Sequence, residues 1–158
     1  MKRSETGKRL LTLPNLLACL IILLGVSLIG YFILFPAWGY FHSDCTDTIL
    51  WAQAGYDAGG LFNADFTYAC LLPFGGQLLM QPFIGLFGVS TTTHAIGMLL
   101  FLALFVTAAV CFCRSMKWSM SWAAIMVTAL LLLLSSSEKL REIFWGHIIY
   151  YSLGILFL

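Results

Sequence analysis

His42, Asp44 and Asp47 stand within six positions of one another and carry the strongest chemical suggestion in this sequence. Two carboxylates three residues apart share one face of a helix. Asp44 and Asp47 are therefore placed to approach one divalent cation or one substrate, with His42 as a further substrate contact. A carboxylate at the mouth of a membrane cavity also suits a general base. The same two aspartates stand where a helix N-cap is expected, and there they favour the first-turn amides whatever chemistry follows. The remaining polar residues read more simply. Asp57 belongs to a helix C-terminus, Asp65 to a turn with Asn63, and Glu138 and Glu142 to a solvated face shared with Lys139 and Arg141. His94 and His147 read as interfacial anchors, and Phe144, Trp145, Tyr150 and Tyr151 as an aromatic belt. No nucleophile elbow, P-loop, HExxH or GxGxxG occurs.

The elements that must position these residues follow from composition. Of 158 residues 61% are hydrophobic and 9% charged, where a soluble chain has roughly a quarter charged. The fold class expected is all-α, with several transmembrane helices of about 20 apolar residues each. A tail over 1–15 precedes a first span over 16–38, with Pro14 and Asn15 as start signals and Trp38, Tyr40 and Phe41 as an exit belt. Residues 39–92 form a loop holding two surface helices. One runs from about Thr46 to Ala58 and is closed by Gly59 and Gly60. The other runs from about Gly76 to Phe87, in a stretch that Pro73, Gly75, Gly76, Gln77, Gln81 and Pro82 make unsuitable for crossing. Spans over 93–113 and 118–134 follow. Ser135, Ser136 and Ser137 then cap an amphipathic turn. Residues 143–158 begin a fourth span and stop short of a full crossing, so the chain reads as the N-terminal piece of a longer protein.

Charge sets the orientation. Lys2, Arg3, Lys8 and Arg9 crowd the N-terminus, and no Lys or Arg stands between Phe35 and Cys113, where Asp44, Asp47, Asp57 and Asp65 lie. By the positive-inside rule the N-terminus is cytoplasmic and the acidic loop faces outside, as in a multi-pass plasma-membrane protein. The first apolar run is too long for a signal h-region and has no cleavage site after it. The net charge of +1 comes with no basic stripe, so no nucleic-acid partner is expected. The lipid bilayer is the partner that composition demands. Of five cysteines, Cys45 and Cys70 fall on the outer side, where a disulfide is permitted.

The stretches DTILWAQAGYDAGG (Asp47 to Gly60) and LPFGGQLLMQPFIGLFGVS (Leu72 to Ser90) resemble the N-terminal third of the GT-C glycosyltransferases. The likeness is to bacterial relatives of protein mannosyltransferases and aminoarabinose transferases. It implies an enzyme that takes a polyprenyl-phosphate-linked sugar on the outer face, often with a divalent metal ion. It makes Asp47 the catalytic carboxylate and Asp44 a metal or substrate ligand. The family's Glu after that Asp is Thr48 here, which leaves Asp44 and Asp47 as the metal candidates. Against this stands a reading from another class, a non-enzymatic membrane component or transporter fragment in which the carboxylates cap helices and the broken helix lines a cavity.

The orientation is testable at the end of the loop. In a background free of the five native cysteines, Ser90→Cys should react with a membrane-impermeant thiol reagent from outside. Reaction from the cytoplasmic side alone would show that Phe66 to Gly88 crosses.

Overall fold

The computed structural model describes residues 12–36, 43–68 and 75–147, and among them the chain is all-helical. Helix α1 spans Leu13–Leu34 and α4 spans Thr91–Ser115. At 1.5 Å per residue these are about 33 and 37 Å long, enough for a hydrocarbon core of roughly 30 Å. Both are apolar enough to cross a membrane. Helix α5, Met120–Leu134, is shorter and turns by 108° into Glu138–Gly146; that bent pair counts as a third crossing if it forms one span. Helix α2 covers Ser43–Asp57 and α3 covers Gly76–Phe87. At 12 residues α3 is about 18 Å long, too short to cross as a helix. A one-turn helix α6, Glu138–Arg141, runs into a π-helical turn over Glu142–Gly146.

Local chemistry sets the ends of these helices. Pro14 lies in the first turn of α1, where a missing N–H costs nothing, so the helix starts at Leu13 rather than at the expected Leu16. Ser90, Ser119 and Ser137 each accept a hydrogen bond from the backbone N–H three residues on, at 3.2, 3.3 and 3.2 Å, and so cap α4, α5 and α6. At the end of α2 the Gly60 N–H reaches the Gly55 carbonyl and the Gly59 N–H reaches that of Tyr56, with Gly59 at φ 63°. This pair of bonds around a left-handed residue is a Schellman closure, and the left-handed position is the one that favours glycine.

The long helices pack side by side. Helix α1 lies along α5, where a Cβ on Gly25 would come within 3.3 Å of the Leu131 side chain. Helix α3 lies across α2 on one side and α4 on the other. The core runs through Ile29 and Ile33 of α1, Phe101 and Phe105 of α4, and Val127 and Leu131 of α5. Trp145 closes it and corrects the belt expected of Phe144 and Trp145. Trp145 has 0% of its surface exposed, meets Phe105 edge-on at 5.7 Å, and donates its indole N–H to Ser135 Oγ at 3.0 Å. Phe144 is buried beside it at 6.1 Å. An indole whose N–H finds a partner is as well suited to an interior as to an interface. Tyr150 and Tyr151, the tail over 1–11, most of the fourth span and Trp38 to Phe41 lie outside the described residues.

The α3–α4 contact depends on one missing side chain. A Cβ on Gly97 would stand 2.5 Å from Cγ of the fully buried Met80. Gly97→Ala should therefore lower stability by about 1–2 kcal/mol, overpacking outweighing the gain in helix propensity. Met80→Ala in the same chain should recover part of the loss. Thermal unfolding of the purified protein in detergent measures both, and an unchanged midpoint for Gly97→Ala would contradict the close approach.

Candidate functional site

Helix α2 is already formed at Ser43, three residues before the expected start at Thr46. This separates the two aspartates. Asp44 lies in the first turn, exposed, and its Oδ1 accepts a 3.3 Å hydrogen bond from Ser43 Oγ. Asp47 lies in the second turn and is half-buried. The stabilisation of a carboxylate by a helix N-terminus falls off beyond the first turn, so capping accounts for Asp44 and not for Asp47. By helical spacing Asp47 falls at the edge of the buried face, one turn before Trp51, which is buried and meets Tyr68 edge-on at 6.0 Å.

Thr48, the next residue, points inward. It is 0% exposed, and its Oγ1 donates to the Asp44 carbonyl at 3.5 Å. A carboxylate at position 48 would enter the packed interior rather than stand beside Asp47. His42 lies outside the described residues. Among the described residues no three of His, Cys, Asp or Glu lie together as metal ligands.

A buried polar layer lies where α2, α3, α4 and the π-helical turn converge. Cys45 is a buried thiol whose Sγ donates to the Gly146 carbonyl at 3.3 Å, tying the first turn of α2 to the π-helical turn. Its proposed disulfide partner Cys70 lies outside the described residues. Gln77 opens α3 and is 1% exposed, and its amide nitrogen has no hydrogen-bond partner among the described residues. Thr93 donates to the Gly88 carbonyl at 2.7 Å. His94 and His147 are both buried, which corrects their reading as interfacial anchors. The acidic residues farther along α2 and its loop have local partners. Asp57 accepts from Gln53 at 2.6 Å, and the Asp65 N–H donates to Asn63 Oδ1 at 3.0 Å.

Arg141 also lies elsewhere than its sequence suggests. Instead of the solvated face expected for it, the guanidinium is half-buried, 5.5 Å above the Phe32 ring at the end of α1. Its Nε has no hydrogen-bond partner among the described residues. The guanidinium thus makes a cation–π contact with Phe32, while its Nε is closed to solvent. The Ser135–Ser137 breakers next to it were legible, whereas the 108° bend that turns it onto α1 was not. No family model matches the chain, nor does any curated protein or solved structure.

The orientation of Thr48 has a measurable consequence. Thr48→Glu should lose about 3 kcal/mol or more, because an unpaired charge enters the interior. Thr48→Val, close in shape and uncharged, should stay within about 1.5 kcal/mol. The fraction of monodisperse protein and its unfolding midpoint in detergent read both, and a Glu variant as stable as the parent would contradict the packing around Thr48.

Proposed function

We propose that this chain is the N-terminal part of a multi-pass plasma-membrane glycosyltransferase, with a cytoplasmic N-terminus and a polyprenyl-phosphate-linked sugar as donor on the outer face. In this reading α2 and α3 are the two juxtamembrane helices of the first outer loop, and Asp47 is the general base. The observation that carries it is the half-buried carboxylate of Asp47 in the second turn of a helix packed mainly on α3, where capping does not account for it. Arg141 adds support. The Cys45–Gly146 hydrogen bond ties its turn to the start of α2, and its charge suits the phosphate of the donor.

The step is an acyl-free group transfer. A hydroxyl or amine of the acceptor attacks the anomeric carbon as its proton passes to Asp47. The bond from that carbon to the phosphate oxygen breaks, and polyprenyl phosphate leaves with the electron pair. Asp44, exposed one turn earlier, is placed for a substrate hydroxyl, and His42 is assigned the same role. The resemblance also implies a divalent ion, which Asp44 and Asp47 would hold together with the donor phosphate, and no step is routed through it.

Asp47→Asn in the full-length protein, assayed in membrane vesicles with labelled polyprenyl-phosphate sugars, should lower transfer by about 100-fold or more while membrane insertion stays unchanged. Full retained transfer would leave the carboxylates as features of α2 alone and favour the non-enzymatic membrane component.

A further inference from the structure

At the opposite end of α4 the same Schellman closure that ends α2 recurs with a different residue at its centre. The Trp118 N–H reaches the Cys113 carbonyl at 3.2 Å and the Lys117 N–H reaches that of Arg114 at 3.0 Å. The left-handed position, held by Gly59 in α2, is here held by Lys117 at φ 63°. It is the one non-glycine residue with positive φ among the described residues. A side chain there costs backbone energy that glycine would avoid. Favourable charge at the helix C-terminus does not by itself account for a lysine, because Arg114 already donates to the Trp118 carbonyl.

Next to this turn Trp118, Trp122 and Met126 follow one another at intervals of four and line a cleft of about 370 Å³. All three are exposed, Trp122 the most at 61%. Arg114 and Lys117, within four residues of Trp118, are both exposed. Two cations at the end of an apolar cleft on a helix long enough to cross a membrane match a lipid with an anionic head and an apolar chain.

We propose that the α4–α5 junction is a binding site for an anionic phospholipid of the surrounding bilayer. Lys117 and Arg114 hold the phosphate, and one acyl chain lies in the cleft of Trp118, Trp122 and Met126. This rests on the membrane-crossing length of α4 and not on the glycosyltransferase reading.

The test uses the full-length protein purified in a neutral detergent. Phosphatidylglycerol should raise the unfolding midpoint by about 3 °C or more over the same amount of phosphatidylcholine. Lys117→Gly should raise the midpoint without lipid, by relieving the left-handed lysine, and should lose the phosphatidylglycerol increment. Trp122→Ala should lose the increment too. Equal stabilisation by phosphatidylcholine, an increment retained by Lys117→Gly, or the same increment from inorganic phosphate alone would each overturn the proposal.

Discussion

Hydrocarbon offers no partner to a backbone N–H or C=O, so each helix in this chain must end where something else satisfies its last turns. That constraint organises the molecule from end to end. Ser90, Ser119 and Ser137 take the first amides of α4, α5 and α6. Paired carbonyl closures around Gly59 and Lys117 end α2 and α4. The Ser135 and Ser136 hydroxyls donate back to the Leu131 and Leu133 carbonyls at 2.8 Å, finishing α5 as the chain bends. Each closure is local, which lets short helices sit at the ends of long ones without leaving open backbone.

The short elements then gather at one end because the bend after α5 brings Trp145 back into the core. Its ring fills the space beside Phe101 and Phe105 while its N–H is taken by Ser135. A buried indole of this size contributes on the order of 3–5 kcal/mol, enough to fix the π-helical turn that carries it. With Gly146 held there, Cys45 anchors the start of α2, and the Asp44–Asp47 turn is oriented by packing rather than by its own charges. The placement of the Asp44–Asp47 turn thus depends on an aromatic residue nearly a hundred positions away in sequence.

Elements were far more legible in the sequence than faces. The bounds of α3 read from Pro and Gly breakers are those observed, and the serine cap of α6 and the glycine closure of α2 were equally plain, because each is set by neighbours within four residues. The orientation of side chains was not. Trp145 among apolar and basic residues gives the same signal for a belt as for a core. His94 and His147 read as interfacial anchors, yet both are buried. The candidate site divides in the same way. Asp44 and Asp47 could be found from spacing, whereas the inward turn of Thr48 and the stacking of Arg141 on Phe32 depend on contacts between distant segments.

That division bears on how the two aspartates should be weighed. With a helix starting at Thr46, both stood at the N-cap, and electrostatic capping explained both equally well. With the helix formed by Ser43, the orphan amides belong to residues 43 to 46, and Asp47 comes after them. A carboxylate in a second turn, half-covered and beside a fully buried threonine, gains little from the helix and loses hydration. Helix formation alone would favour an uncharged residue at position 47. Whatever offsets that cost comes from beyond the first turn, because the free amides of α2 all lie before position 47.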